Sequence, residues 1–150
     1  MKFSDVVELD VDVLRIEAPA KPGIYEVGFW VDPHYFVPRY VGRARGRMDG
    51  DTAKQGTTIR SRLIKHASGR GNLGIQRAIA GDLEEFWLDD PDDLSLPGKH
   101  TMQVHKSLWC RWSVARDSDT ASAVAAAREA RYLQGYGYGA GTQYVWNRRL

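Results

Sequence analysis

The chain has 150 residues, of which 43% are hydrophobic and 27% charged, and its formal net charge is +2. A chain of this length buries roughly 70% of its unfolded surface as one domain, and its single cysteine excludes an internal disulfide, so we predict a reducing, cytoplasmic setting. The acidic N-terminus does not have the pattern of a signal peptide, and no apolar run reaches the roughly 20 residues of a membrane helix, so no membrane is expected.

The first 41 residues predict three strands. Residues 11–17 alternate apolar and polar side chains, which is typical of a half-buried strand. Residues 24–31 are rich in β-branched and aromatic types and predict a second strand. Residues 36–41 predict its return strand in an antiparallel hairpin with a long connection, and Pro38 indicates an edge strand or a bulge.

Two helices are predicted in the middle of the chain. Residues 43–56 hold three glycines without apolar periodicity and predict a loop. Thr57 or Thr58 can cap a helix over 58–68, and a second helix is predicted over about 72–87. The buried face of the first helix is predicted to consist of Ile59, Leu63 and Ala67.

The last third predicts a loop, strands and one long helix. Residues 91–100 read as loop, and 101–115 as one or two strands with 108–114 the stronger part. An alanine-rich helix is predicted over about 120–134 and a short strand over 143–146. The candidate caps of that helix are Asp117, Ser118 and Asp119.

Strands alternate irregularly with helices, and the hairpin implies antiparallel pairing. These features predict the α+β class, with a small, mainly antiparallel mixed sheet flanked by helices. No internal repeat and no linker divides the chain, so we predict a single domain over 1–150.

Charge is distributed unevenly. Residues 39–77 contain ten Lys and Arg and two acids, a local net of +8, whereas 82–93 contain seven acids and no base. A basic segment fits a polyanionic partner, but a solvated face balanced by its acidic neighbour explains it equally well. The candidate contacts to nucleic acid are Arg39, Arg43, Arg45, Arg47, Lys65 and Arg70.

Two tyrosines stand beside glycines in the predicted hairpin, in Gly23-Ile24-Tyr25 and Tyr40-Val41-Gly42. On neighbouring strands, two phenols can point into one pocket if the register allows. A phenol has a pKa near ~10, so it needs a nearby cation or proton acceptor to act as a base at pH 7. The alternative is that both rings are ordinary buried strand tyrosines.

Arg62 and His66 are four residues apart and therefore share a helix face. A guanidinium forks onto phosphate oxygens, and an imidazole that titrates near neutrality can accept a proton from Tyr25 or from water. The alternative is a solvated polar face.

Glu129 and Asn147 lie further along. A carboxylate is a preferred ligand of Mg²⁺, which needs only one or two from the protein. Glu129 can instead pair with a neighbouring arginine on the helix surface, and Asn147 can either brace a site by hydrogen bonds or be simply terminal.

In this order, the residues resemble the active-site pattern of the GIY-YIG nuclease superfamily: GIY, then YVG, then Arg and His four apart, a helical Glu and a late Asn. The match covers residues 23–147. The resemblance implies a small antiparallel sheet flanked by helices, one divalent metal (Mg²⁺ or Mn²⁺) and DNA as substrate.

The resemblance also implies roles for single residues. Tyr25 or Tyr40 would assist the attacking water, with Tyr25 the preferred base and His66 its proton relay. Arg62 would bind the phosphate, and Glu129 would hold the metal in the same pocket. The last role, a structural one at the site, would fall to Asn147.

The chain departs from the family pattern in several ways. No lysine lies between the two tyrosines, so Arg39 or Arg43 would supply the positive field there. Arginine cannot accept a proton, which strengthens the assignment of His66. Relative to the family, the chain carries an N-terminal strand extension at 1–20 and an insertion at about 69–118.

The sequence therefore predicts a Mg²⁺-dependent endonuclease acting on duplex DNA. One site per chain suggests a homodimer for cleavage of both strands. A non-catalytic nucleic-acid-binding module on the same fold is the main alternative, and a protein-interaction domain using the acidic segment 82–93 is another.

Overall fold

The computed structural model describes residues 2–32, 35–44, 58–69, 80–90, 93–105 and 108–135, with only the backbone described for 31–32, 35, 80–90, 93–105, 118 and 129–135. The strands within these ranges are β1 (Val7–Glu8), β2 (Gly23–Asp32), β3 (Tyr35–Ala44), β4 (Ala80–Asp90), β5 (Asp93–His105) and β6 (Trp109–Val114). The helices are α1 (Val11–Glu17), α2 (Ile59–Ala67) and α3 (Ser118–Gly135). None of these helices combines the length and apolar content that crossing a membrane requires.

Four of the strands form one antiparallel sheet in the order β1-β6-β2-β3, so the strands nearest the centre are β6 and β2. The other two, β4 and β5, pair only with each other in this part of the chain and form a separate antiparallel ribbon. The predicted α+β class is confirmed. The described pairings are all antiparallel, so the sheet is simpler than the mixed one expected.

Helices cover both faces of the four-stranded sheet. Tyr25 and Glu26 are consecutive in a regular part of β2, so their side chains point to opposite faces. The Tyr25 hydroxyl is hydrogen-bonded to His66 of α2, whereas Arg128 of α3 donates to Glu26. Helix α1 packs on α2. The result is three layers, with α1 and α2 on one side of the sheet and α3 on the other.

The hairpin of β2 and β3 is confirmed, but its connection is shorter than predicted. Asp32 pairs with Tyr35, so only two residues separate the strands. The register shifts beside Pro38, leaving Arg39 as the extra residue of a bulge in the edge strand. Proline has no N–H to donate, which is why it is accommodated at such a position, as the sequence predicts.

The prediction of a strand over 11–17 is wrong, because these residues form α1. The Asp10 carboxylate accepts hydrogen bonds from the backbone N–H groups of Asp12 and Val13 at 3.0 and 3.1 Å, which caps a helix. A strand would bury Ile16 with the other apolar residues, yet Ile16 is 80% exposed and Leu14 is buried. Seven residues are too few to separate a period of 2 from one of 3.6.

The prediction of a helix over 72–87 is wrong for its second half, since β4 begins at Ala80; residues 70–79 lie outside the described residues. The loop predicted over 91–100 is also wrong from Asp93 onward, where β5 pairs with β4. Pairing of the two strands gives the backbone N–H and C=O groups of both segments their hydrogen-bond partners at once. The sequence of either segment alone does not show this stabilisation.

The remaining elements agree with the sequence. Thr58 caps α2 in a reciprocal arrangement with Ser61, and Gly69 at φ 76° ends it. Asp117 caps α3 by accepting from the Thr120 backbone N–H at 2.8 Å. The predicted strand region 101–115 resolves into the end of β5 and β6. The strand predicted over 143–146 lies outside the described residues.

The structure shows which described strands and helices lie within the predicted insertion at 69–118 and the predicted extension at 1–20. The ribbon of β4 and β5 lies within the insertion, but so does β6, which pairs with β2 near the centre of the main sheet. The extension contains β1 and α1. The chain therefore returns to the main sheet at Trp109.

Substituting Thr58 by Ala is expected to lower the free energy of unfolding by about 1 kcal/mol, because the Ser61 backbone N–H loses its acceptor at the start of α2. Urea unfolding followed by circular dichroism measures this. Ser68→Ala, at the other end of the helix, is the control, since its exposed hydroxyl only donates to the Ile64 carbonyl. Equal losses in the two variants would contradict the capping role.

Candidate active site

The two glycine–tyrosine triplets fit each other physically. Gly42 is the cross-strand partner of Tyr25, and a Cβ at Gly42 would collide with the Tyr25 ring. A Cβ at Gly23 would collide with the Ser113 carbonyl and the Ile59 side chain. One glycine therefore lets the Tyr25 ring cross the neighbouring strand, and the other lets α2 approach the sheet.

Three aromatic rings form the core of the candidate site, which we call the Tyr–His cluster (Tyr25, Tyr40 and His66). The Tyr25 hydroxyl and His66 Nε2 are hydrogen-bonded at 3.0 Å. The Tyr40 ring centroid lies 5.1 Å from that of His66 and 6.1 Å from that of Tyr25. The convergence of these three residues, predicted from the sequence, is thus present in the structure.

The members of the Tyr–His cluster differ in exposure. Tyr25 is 2% exposed and His66 is 5% exposed, so their hydrogen bond is sealed from solvent. Tyr40 is only half-buried. A ligand approaching from outside would therefore meet Tyr40 before it meets Tyr25.

Burial raises the pKa of Tyr25 well above its ordinary value, and Tyr40 adds to this as a neighbouring acid and hydrogen-bond partner. The Arg62 charge acts in the opposite direction but does not offset the burial. Tyr25 therefore keeps its proton at neutral pH. This weakens the expectation that it serves as the base in the free protein.

The pKa of His66 is lowered to about 4, mainly by burial and further by the charges of Arg62 and Lys65. The sequence alone suggests a value near neutrality, because it does not reveal that the imidazole is buried. At pH 7 the ring is neutral and has a free capacity to accept a proton.

Arg62 lies beside the Tyr–His cluster, on the same helix as His66. Its charge lowers the pKa of both Tyr25 and His66, which shows that it is electrically close to the pair. Its Nε atom is buried and has no hydrogen-bond partner among the described residues. A buried guanidinium N–H without an acceptor is costly, and an anion would satisfy it.

The structure separates the other predicted residues. Arg39, the chain neighbour of Tyr40, is fully buried. Arg43 is exposed and donates to the Ser122 hydroxyl at 2.9 Å, and Lys65 is exposed on α2. The backbone of Glu129 belongs to α3, but its side chain is outside the described structure. Also outside the described residues are Arg45, Arg47, Arg70 and Asn147.

On the opposite face of the sheet lies a set of residues that the sequence did not single out, the Glu26 ion-pair group (Glu26, Arg111 and Arg128). Arg111 Nε donates to one Glu26 oxygen at 2.7 Å and Arg128 Nε to the other at 3.0 Å. The Phe3 ring lies against both guanidiniums, 4.6 and 4.5 Å from their central carbons. The signal in the sequence was Glu26, the one acidic residue inside the apolar run of residues 24–31.

An apolar cavity of about 550 Å³ lies on this same face, between the N-terminal segment, the end of β6 and the start of α3. Phe3, Ile24 and Val124 contribute to its wall. Its position across the sheet separates it from the Tyr–His cluster.

The described side chains do not supply a complete set of ligands for the predicted metal. The described side chains include no group of three His, Cys, Asp or Glu residues that would hold a metal. Both oxygens of Glu26 are occupied by arginines, which excludes it as a ligand in this arrangement. Mg²⁺ retains most of its waters and needs only one or two carboxylates. The side chain of Glu129, the predicted ligand, lies outside the described structure, so this ligand stays a prediction.

Cys110 is buried, and burial raises its pKa to about 12. The thiol therefore keeps its proton at neutral pH, which is typical of a packed rather than a nucleophilic cysteine.

Comparison of the chain with protein-family models, with curated proteins and with solved structures gives no match in any of the three. The geometry of the site therefore carries the argument for function.

Acid is expected to destabilise the protein through His66. The unfolded chain binds a proton at a pKa of 6.5, whereas the folded protein does so only near pH 4. The stabilisation is therefore present above pH 6.5 and is lost as the pH falls from 6.5 to about 4. The loss is about 3 kcal/mol, and urea unfolding across this range measures it.

His66→Asn is the control for this pH dependence, since an amide cannot titrate. The difference in unfolding free energy between wild type and His66→Asn should fall across the same window. A difference that is constant from pH 4 to 7 would show that His66 does not carry the effect.

Proposed function

We propose that the protein is a Mg²⁺-dependent DNA endonuclease that hydrolyses phosphodiester bonds. The observation that carries this proposal is the buried Arg62 Nε, which has no acceptor within the described part of the chain, beside a neutral tyrosine–histidine pair. A phosphate is an anion that a guanidinium recognises well, and proton acceptors next to a bound phosphate are what hydrolysis requires. The resemblance to GIY-YIG nucleases in sequence is consistent with the same reaction.

The exposure of the two tyrosines supports a division of their roles. Tyr40 is half-buried and can contact a water beside the phosphate, whereas Tyr25 is 2% exposed. We therefore assign the contact with the attacking water to Tyr40. Tyr25 and His66 support it from within, where the Tyr25 hydroxyl and His66 Nε2 are hydrogen-bonded. This reverses the preference for Tyr25 that the resemblance gives.

Substrate binding would improve His66 as the final proton acceptor. Arg62 is one reason for the low pKa of His66, after burial. A phosphate bound to Arg62 offsets that charge and favours the imidazolium, because an opposite charge stabilises the charged form. The same phosphate disfavours a phenolate at Tyr25, so the proton released by water is better held on His66.

Glu129 is the residue proposed to hold Mg²⁺. When bound, the metal would offset negative charge on the phosphate and on the leaving oxygen. Helix α3 packs against β2 and β3, the strands that carry Tyr25 and Tyr40, but on the face of the sheet opposite the Tyr–His cluster.

Duplex DNA is the proposed partner, held by the basic segment 39–77. Cleavage of both strands would require a homodimer or two sequential nicks, since each chain offers one site. A cytoplasmic location is also proposed, and the single cysteine, which is unpaired and buried, supports it.

A non-catalytic nucleic-acid-binding module is the second candidate. The raised pKa of Tyr25 favours it, because the phenol keeps its proton in the free protein. It predicts salt-dependent DNA binding without turnover and no effect of Glu129→Ala.

Arg62→Gln is expected to lower the cleavage rate at saturating DNA by about 10²- to 10³-fold, because the phosphate loses its charged donor. Plasmid nicking and cleavage of a labelled duplex in Mg²⁺ measure this. Arg60→Gln is the matched control: it removes the same charge from the same helix, but Arg60 Nε donates to the Ala18 carbonyl. Wild type that cleaves no better than Glu129→Ala or Arg62→Gln would refute the proposed activity.

Tyr40→Phe and Tyr25→Phe are expected to separate catalysis from stability. Tyr40→Phe should lower the cleavage rate by about 10²- to 10⁴-fold with little loss of stability. Tyr25→Phe should lower the unfolding free energy by about 1–3 kcal/mol, because it leaves His66 Nε2 buried without its partner. The reverse pattern would assign the water contact to Tyr25. Both quantities are measured on the same preparations.

A further inference from the structure

The apolar cavity on the α3 face of the sheet has no role in the proposed hydrolysis. Its volume is about 550 Å³, which is within the range of pockets that bind small molecules. Its described lining contains no residue of the Tyr–His cluster and none of the Glu26 ion-pair group. The cavity is therefore a separate feature of the fold, and the chemistry of its lining indicates what it would hold.

The walls of the cavity are mainly aliphatic. Ile24 contributes from β2, Val124 from α3, and Ala115 from the chain directly after β6. Phe3 adds one aromatic ring, which already lies against the two guanidiniums of the Glu26 ion-pair group. A ligand inside the cavity would thus meet mostly aliphatic groups, and an aliphatic chain matches them.

The wall that the N-terminal segment forms is held in place. The Ser4 N–H donates to the Trp112 carbonyl at 2.7 Å, and the Trp112 N–H donates to the Ser4 hydroxyl at 3.0 Å. The neighbouring Phe3 ring is 4.6 and 4.5 Å from the central carbons of Arg111 and Arg128. These contacts fix the wall before a ligand enters, so binding loses less conformational entropy.

The charged groups of the lining favour an anionic ligand. Lys2 and Arg116 supply two positive charges, and no acid is found in the described lining. Asp117, the acid next to Arg116, accepts hydrogen bonds from Arg116 Nε and from the Thr120 N–H, so it is engaged at the start of α3. Both cations are exposed and therefore lie at the open end of the cavity. A carboxylate is an anion that guanidinium and ammonium groups recognise well.

The apolar surface lies inside the cavity and not around it. Val114 is 50% exposed, and the other exposed large hydrophobic residue of the described chain is Ile16, on α1 across the sheet. A stable protein interface buries about 800 Å² on each partner around an apolar centre, which one exposed valine does not provide. A small ligand is therefore favoured over a second copy of the chain.

We propose that this cavity binds a small aliphatic carboxylate. Its chain would lie against Ile24, Ala115 and Val124, and its head group would lie at the open end, where Lys2 and Arg116 supply positive charge. This ligand site is across the sheet from the Tyr–His cluster, and it does not depend on the proposed nuclease activity.

Calorimetric titration of the full chain with hexanoate, octanoate and decanoate tests the proposal. Affinity is expected to rise about 4-fold for each CH₂ group that enters the cavity, because each one is removed from water. Octanamide has nearly the same shape as octanoate but no charge, and it is expected to bind about 3- to 30-fold more weakly. Equal affinities for octanoate and octanamide, or affinities that do not depend on chain length, would overturn the proposal.

Val124→Phe tests whether the ligand enters the cavity. The added ring volume is expected to displace at least two CH₂ groups and to weaken octanoate binding by about 10-fold or more. Ala126→Phe is the matched control, because residue 126 is exposed on the same helix and does not line the cavity. Circular dichroism shows whether both variants are folded. Equal affinities of the two variants for octanoate would contradict binding in the cavity.

A double substitution, Lys2→Gln with Arg116→Gln, tests the head group and leaves the core of the protein untouched. Octanoate binding is expected to weaken about 3- to 30-fold, whereas octanamide binding should stay the same. Its control is Arg15→Gln with Lys21→Gln, which removes two exposed cations outside the lining. An equal loss of octanoate affinity in the two double variants would show a general charge effect and overturn the assignment.

Sedimentation velocity distinguishes the other possible occupant, a second copy of the chain. A monomer, or a dimer that Val124→Phe leaves intact, agrees with a cavity that is open to the carboxylate. A dimer that Val124→Phe dissociates and Ala126→Phe does not would assign the cavity to a second copy and overturn the proposal.

Discussion

The alternation of side chains along β2 is the constraint on which the described structure depends. Because Tyr25 and Glu26 are neighbours on one strand, they must face opposite layers. Each of them makes a buried polar bond to a different helix, Tyr25 to His66 and Glu26 to Arg128. One dipeptide near the centre of the sheet therefore anchors both helical layers, and neither bond can shift without affecting the other.

The two anchors are energetically different. The bond between Tyr25 and His66 joins two groups that burial keeps neutral, so it avoids the cost of buried charge and still leaves a proton acceptor inside the protein. The Glu26 group keeps its charges and compensates them with two arginines and an aromatic ring. That one strand therefore makes a neutral polar bond on one face of the sheet and a charged one on the other.

Local patterns were sufficient for some elements and insufficient for others. The capped helix α2 and the alanine-rich α3 follow from side chains close in sequence, which is why Thr58 and Asp117 could be anticipated as caps. Residues 11–17 and 80–90 could not be assigned, since a cap by Asp10 and a ladder with β5 decided between equally good patterns. The convergence of Tyr25, Tyr40 and His66 was predictable from spacing and resemblance. Their pKa values were not, because burial depends on the whole fold.

The bulge at Arg39 has a consequence for insertions and deletions. Val37 pairs with Phe29 and Tyr40 pairs with Val27, and both partners lie on the same face of the sheet as Tyr25. Val37 and Tyr40 are three residues apart, and in a regular strand an odd separation would put their side chains on opposite faces. Only the extra residue makes this parity possible. A loss of one residue between positions 37 and 40 would leave the length of the hairpin almost unchanged, but would turn the Tyr40 hydroxyl away from His66 and toward α3. The bulge therefore decides which face of the sheet, and so which helical layer, the Tyr40 side chain points to.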